Sequence, residues 1–388
     1  MAYNRKQRLN DNIKAIETAF ILDREQRTPT ARERLLLERY CGFGGLKCIL
    51  NPARELADAV HWAKSDLELF APTVELHRLI RENSKNESEY KQLMDSLKQS
   101  VLTAFYTPSA VTEALTDVLK EHQIIPEKVL EPSAGIGAFV DSVLENNPKA
   151  DIMAFEKDLL TGKILRHLHP EQKVRIEGFE KIEKPFNDYF DLAISNIPFG
   201  DVAVFDPSYT AMKGMRALVT RRIHNYFFVK ALDTVRDGGL VAFITSQGVL
   251  NAKNNSAARF MMLYHADLVS AIRLPNNLFT ENANTEVGSD LIILQKNTQK
   301  ESLRGDDNLL DTVYNDENRI PTNNYFLEHP ERIIHTTAKL DTDPFGKPAM
   351  IYTHEDGVEG IAEDLRKMLH EDFKKNLNLN RYLGIEET

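Results

Sequence analysis

The sequence predicts an α/β fold: a seven-stranded, mostly parallel sheet covered by helices and preceded by a helical segment. Three observations predict it. The first hundred residues carry helical periodicity, strand and helix patterns alternate from about residue 107, and the strands are apolar on both faces. A chain of 388 residues is too long for one ordinary domain. The divisions that follow are a helical N-terminal domain over 1–100, an α/β domain over 101–297, and an acidic C-terminal extension over 298–388 with one or two helices.

In the helical segment Leu9, Ile13, Ile16 and Phe20 recur at helical spacing, and Thr30 with Glu33 forms a capping box before "RLLLERY". "YCGFGGLKC" then breaks the pattern; a backbone cradle for phosphate is one reading, a tight turn between helices the simpler one. In "FYTPSAVTEALTDVLKEH", Thr107 is the expected N-cap, Pro108 fits the first turn, and Val111, Leu115, Val118 and Leu119 form one apolar face. The predicted strands are 128–131, 151–156, 174–177, 191–195, 239–245, 268–274 and 290–295. The stretch after 298 is polar and expected to be irregular, with one amphipathic helix marked by Ile361, Leu365, Met368 and Leu369.

With 42% hydrophobic and 27% charged residues, the composition is that of a globular chain. No apolar run approaches the ~20 residues that span a bilayer, so no membrane partner is expected. The polar start "MAYNRKQRLND" lacks the apolar core of a secretory signal. Cys41 and Cys48 are too few for a disulfide framework or a closed zinc site; no metal is expected, and a reducing cytoplasm is the expected compartment. The net charge of −10 is uneven: residues 301–388 hold 10 Lys/Arg against 19 Asp/Glu, and residues 1–54 hold 11 against 6. Acidity therefore belongs mainly to the tail and excludes little about the rest.

Chemistry-bearing residues fall at the ends of successive strands, where sheets of this kind bind ligands. "EPSAGIGAF" ends the first strand with Glu131 and brings Gly135 and Gly137 to a backbone turn that opens a helix. Val140 occupies the third glycine position of a dinucleotide fingerprint, which argues against that ligand class. Glu131 could face a ligand ammonium, Glu156 could accept both hydroxyls of a ribose, and Phe179 with Glu180 could hold an adenine. Together they fit S-adenosylmethionine. The fourth strand then delivers "NIPFG". A conjugated amine is a poor nucleophile because its lone pair is delocalised, and two acceptors on its N–H groups expose that pair. The Asn196 side-chain oxygen and the Ile197 carbonyl supply two. Pro198 restricts Ile197 to extended geometry, and Phe199 offers a stacking face.

"FYTP", "EPSAGIGAF", "AFE", "GFE" and "NIPFG", in this order, resemble the amino-methyltransferases whose signature is Asn/Asp-Pro-Pro-aromatic. "NIPFGDVAVFDPSY", "IHNYFFVKALDTVRDGGLVAFITSQG", "ADLVSAIRLPNNLF" and "NTEVGSDLIILQK" are closer still to the adenine-N6 DNA methyltransferase module of phage and mobile-element methylase-helicase proteins. The resemblance implies a Rossmann-like S-adenosylmethionine-dependent methyltransferase acting on adenine N6 in DNA, in a mobile-element or phage defence or antirestriction setting. It implies that Tyr106, Thr107 and Pro108 close over the cofactor, and that Glu131, Gly135, Gly137, Glu156, Phe179 and Glu180 hold it. Asn196, Ile197, Pro198 and Phe199 would grip the target base, with Ile197 standing where proline is commoner. The helicase half and its phosphate loop are not present in this sequence, so a helicase or a specificity subunit is an expected partner beside DNA.

A base inside a duplex cannot reach such a pocket and must be flipped out or presented single-stranded. Phe279 is a candidate second face for it, with a place in the core as the alternative. Lys213, Arg216, Arg221 and Arg222 form a basic loop that could meet phosphates, with a solvated loop as the alternative. Two other functions share these motifs: methylation of a protein glutamine amide, and non-catalytic binding of cofactor or DNA within a larger assembly.

Overall fold

A computed structural model of the chain describes residues 4–103, 106–280, 286–303, 307–314, 319–343 and 346–385. Four helices precede the sheet: α1 (Arg5–Glu25), α2 (Ala31–Leu37), α3 (Phe70–Glu82) and α4 (Glu87–Thr103). Leu9, Ile13, Ile16 and Phe20 of α1 are buried together, as their spacing predicts. The capping box at the start of α2 is formed: Thr30 N–H donates to Glu33 Oε2 at 2.8 Å and Glu33 N–H to Thr30 Oγ1 at 3.3 Å. The same core takes in Leu37, Tyr40, Phe43 and Trp62 and runs on to Leu160, Ile164 and Leu168. Those last three belong to α7 (Leu159–Leu168) on the sheet, so the helical segment packs directly against the α/β part.

The helix after "FYTP" is α5 (Ser109–Glu121), one residue later than expected. Its cap is Pro108, whose carbonyl accepts from Val111 and Thr112, and not the Thr107 side chain. The seven strands are β1 (Lys128–Glu131), β2 (Asp151–Phe155), β3 (Lys173–Arg175), β4 (Phe190–Asn196), β5 (Val235–Ser246), β6 (Ala266–Leu274) and β7 (Ser289–Lys296). They lie in the order β3-β2-β1-β4-β5-β7-β6, with β7 antiparallel to both its neighbours and the other pairs parallel.

The double apolar faces have a direct cause in this order. Leu192, Ile194, Leu240, Ala242, Ile244, Leu291 and Ile293 face one core, covered by α5 and α6 (Ala138–Asn146). Ala193, Val241, Phe243, Ile292 and Leu294 face the other, covered by α8 (Ile223–Thr234) and α9 (Ser256–His265). Each strand residue therefore meets a helix, whichever way it points.

The amphipathic pattern near the C-terminus becomes the helix Gly357–Asn376, whose Ile361, Leu365, Leu369 and Phe373 are buried against α5 and β6. The polar stretch expected to be irregular contains a short strand, Thr312–Tyr314, paired with Pro321–Asn323. Among the described residues no helix is long and apolar enough to cross a membrane, and none of the His, Cys, Asp and Glu side chains cluster as a metal site.

Candidate active site

Strand order reverses between β1 and β4, and the crevice outside the carboxyl ends of that pair is where such sheets hold ligands. Glu131 ends β1 and Asn196 ends β4, on adjacent, hydrogen-bonded strands. The cofactor-type residues lie on β1, β2 and beyond β3, on one side of the reversal. The "NIPF" turn stands on the other.

Glu131 is 2% exposed. Ser133 N–H donates to its Oε1 at 3.0 Å, and no Lys or Arg among the described residues pairs with it. Burial pushes its carboxyl up to about 8. A buried carboxyl without a cation fits a ligand that brings its own ammonium. The turn that follows is bare backbone. Gly135 has φ +55°, and a Cβ there would stand 2.9 Å from Tyr106 Cε1; Gly137 has φ +90°, and its Cβ would meet Leu165 Cδ1 at 2.7 Å. Only glycine satisfies both the conformation and the space.

Glu156 ties this turn to the second strand. Its carboxylate accepts from Gly135 N–H and from Asp158 N–H, each at 2.7 Å. Burial raises its carboxyl above the usual range. Glu180 is half-buried beyond β3 and folds its carboxylate over Gly178, where a Cβ would collide with Oε2. Tyr106 lies half-buried over Gly135, Thr107 is buried and Pro108 half-buried beside it, while Phe105 lies outside the described residues. This donor set of carboxylates and open backbone fits S-adenosylmethionine.

Phe179 does not take its expected place. Its ring is 1% exposed and lies among Phe155, Tyr226 and Phe227, at centroid distances of 5.8, 6.5 and 5.2 Å. An aromatic ring with three aromatic neighbours in a core has no face for an adenine. Phe279 is likewise 0% exposed. It stands edge-on to Phe199 at 6.3 Å and so backs the Phe199 ring instead of offering a second face to a base.

The "NIPF" turn is anchored through β5. Asn196 pairs with Ile244, and Ile197 N–H donates to the Ile244 carbonyl at 3.0 Å. The Ile197 side chain is buried in the core below, while Phe199 is half-buried. With the Ile197 N–H fixed and Pro198 excluding helical geometry, the Ile197 carbonyl direction is set. Gly200 follows with φ +131°, which turns the chain away towards Asp201.

The basic loop divides. Lys213 and Arg221 are exposed. Arg216 instead closes on Asp233 through two bonds of 2.5 and 2.9 Å, a structural pair that removes it from phosphate duty. Arg222 donates to Asp201 Oδ1 and to Asn255 Oδ1, each at 2.7 Å.

Two sets of residues escaped the sequence reading. Tyr40 in the glycine-rich break bonds Thr161 at 3.1 Å; Thr161 and Ser96 both donate to Asp158, two residues beyond Glu156. Burial, with the Glu156 charge nearby, pushes the Asp158 carboxyl up to about 7. The break is thus a turn, with Leu46 N–H donating to the Phe43 carbonyl at 3.0 Å, that carries a tyrosine to the Asp158 network. The second set is His224, Asn225 and Asn255, linked through Arg222 to Asp201 just after the "NIPF" turn. Polar residues in the first turn of a helix as apolar as "IHNYFF" were the available signal.

Residues 88–387 match the family model described as N-6 DNA Methylase. Over 201 residues the chain is 29% identical to "Defense against restriction protein B" of Escherichia phage P1, covering 50% of this chain and 8% of that protein. Over 173 residues it is 25% identical to "Type II methyltransferase M.XamI" of Xanthomonas campestris pv. amaranthicola, covering 41% and 33%. The chain thus spans a small part of the phage protein and a third of the methyltransferase. Among solved structures, a modification subunit of a putative type I restriction enzyme from Vibrio vulnificus is 15% identical with a TM-score of 0.43, over 75% of this chain and 67% of that one.

Proposed function

The chain belongs to the N-6 DNA methylase family, and from that premise we propose that it methylates the N6 amino group of adenine in DNA. S-adenosylmethionine supplies an electrophilic methyl group when bound. Glu131 would pair with its ammonium, the Gly135–Gly137 turn would receive its amino-acid part, and Glu156 would accept from its ribose hydroxyls. Tyr106, Thr107 and Pro108 close the site, and Glu180 is the remaining candidate for the adenine end.

One observation carries the reading: the "NIPF" turn on β4 stands next to β1, whose end bears the buried Glu131, with no Lys or Arg among the described residues paired to it. A flipped or single-stranded adenine stacks on Phe199. Its exocyclic amine donates one N–H to the Asn196 side-chain oxygen and the other to the Ile197 carbonyl. Accepting both draws the nitrogen towards tetrahedral geometry and frees its lone pair for the methyl carbon. No strong base is needed, because the proton leaves a cationic amine once transfer is complete; fixed dipoles and position lower the barrier.

Asn196→Ala tests this. By the usual effect of removing one preorganised hydrogen-bonding group, methylation falls by about 10²–10³-fold while S-adenosylmethionine binding, read by calorimetry, is retained. Unchanged methylation rejects the assignment. The setting we propose is a phage or mobile-element one, with DNA as substrate and a helicase or specificity subunit as partner; the antirestriction protein of phage P1 supports it by similarity over half of this chain.

A further inference from the structure

Beside the catalytic turn lies a cleft of about 330 Å³ that the adenine-methylating reading leaves unused. Asp201, only two residues beyond Phe199, begins its wall; Leu218, Arg221, Arg222, Asn225 and Asn254 continue it. Ala257, near the start of α9, forms part of the far side. A volume of this order suits a ligand of nucleotide size.

The orientation of one amide there follows from its neighbours. Asn255 Nδ2 donates to the Gly248 carbonyl at 2.7 Å, which fixes that side chain. Its Oδ1 therefore accepts, from Arg222 at 2.7 Å and from Asn225 Nδ2 at 2.9 Å. With Nδ2 committed, Asn225 is left with Oδ1, an acceptor that has no partner although the residue is only 4% exposed. Buried polar atoms are nearly always paired, and an unpaired one is costly to keep. Arg221 adds an exposed guanidinium that no carboxylate among the described residues pairs with.

We propose that this cleft is a second nucleotide subsite, which takes the base flanking the target adenine and reads it through Asn225 Oδ1, with Arg221 on the adjoining phosphate. The proposal rests on the DNA-methylating reading above and deepens it. An acceptor at the base edge favours a base that presents an amino donor, adenine N6 or cytosine N4, over one that presents a carbonyl in the same place. The Arg222–Asp201 pair, at 2.7 Å, holds the cleft's near wall to the catalytic turn, so the two subsites are mechanically joined.

The test uses the full chain with S-adenosylmethionine and oligonucleotides carrying a fixed target adenine between fully randomised flanks, with methylation at the fixed position read by sequencing. Wild type is expected to prefer adenine or cytosine at one flanking position by about tenfold, the discrimination of a single base-edge contact. Asn225→Ala abolishes that preference. Ala257→Leu, which fills the cleft from its wall without touching the hydrogen-bond network, also abolishes it. Arg221→Ala lowers methylation evenly across sequences. A flat wild-type profile, or a preference that both Asn225→Ala and Ala257→Leu retain, overturns the subsite. If wild type methylates no DNA, the methylation reading has failed separately. The subsite is then judged by fluorescence anisotropy on the same oligonucleotides: sequence-dependent binding lost in Ala257→Leu supports it, and sequence-independent binding overturns it.

Discussion

Glu131 is the residue at which the energetics of the ligand-free site are most exposed. Its carboxyl, pushed up to about 8 by burial, is protonated in the folded chain over a range where the unfolded chain's carboxyl is ionised. The folded state therefore binds the extra proton. Its contribution to stability is full below the unfolded value of about 4.3 and is lost as pH rises to about 8, with a limiting slope of about 1.4 kcal/mol per pH unit. Melting temperatures of the cofactor-free protein are accordingly expected to fall between pH 5.5 and 8 more steeply than those of Glu131→Gln. Adding S-adenosylmethionine should flatten the wild-type curve, because its ammonium stabilises the ionised form. Parallel curves for wild type and Glu131→Gln would contradict this account of the carboxyl. Single residues were the least legible part of the sequence. Asn196 and Glu131 could be placed because each ends a strand. Phe179 could not, since a ring after a strand reads the same whether it faces a ligand or, as here, three core aromatics.

Elements were far more legible, because burial on two faces leaves a strong mark. All seven strands were placed to within a few residues, the largest shortfall being at the start of β5, where Val235 pairs with Phe190 ahead of the predicted Gly239. "VRDGG" reads as a turn by composition, yet sheet pairing draws it into the strand. The glycine turn after β1 illustrates the same override in reverse: glycine-x-glycine alone is a weak signal, and what makes it specific is the Tyr106 ring overhead. Gly135→Ala would combine an unfavourable φ of +55° with a contact of 2.9 Å to that ring. It is expected to destabilise the chain by about 1–3 kcal/mol and to weaken S-adenosylmethionine binding, which Asn196→Ala leaves intact. Titration calorimetry decides it; an unaltered affinity would show that the turn does not approach the cofactor.

The whole molecule joins three stretches of sequence that composition separates. Tyr40 and Ser96 reach the Asp158 network, and the C-terminal helix Gly357–Asn376 covers the sheet beside α5. Long-range contacts of this kind leave no periodic trace, which is why the sequence does not show how the stretches before and after the α/β part dock on it. We propose that 1–100 acts as a brace for the cofactor side and not as an independent domain. A chain beginning at residue 101 would expose Leu160, Ile164 and Leu168 and lose the Tyr40 bond. It is expected to aggregate in size-exclusion chromatography, whereas a monodisperse product with full cofactor affinity would contradict the brace. The acid of a chain of net charge −10 is concentrated in the tail, while Lys213 and Arg221, in the segment that follows the "NIPF" turn, stand exposed.

The central claim is a chemical one, that the "NIPF" turn presents an adenine amine to a methyl donor. Its most direct test is incubation with S-adenosylmethionine bearing an isotopically labelled methyl group, on unmethylated duplex and single-stranded DNA, followed by nucleoside mass spectrometry. Labelled N6-methyladenine, lost in Asn196→Ala, is the predicted result. No labelled nucleoside from either DNA, with cofactor binding intact and the label recovered on a protein glutamine or nowhere, would contradict it.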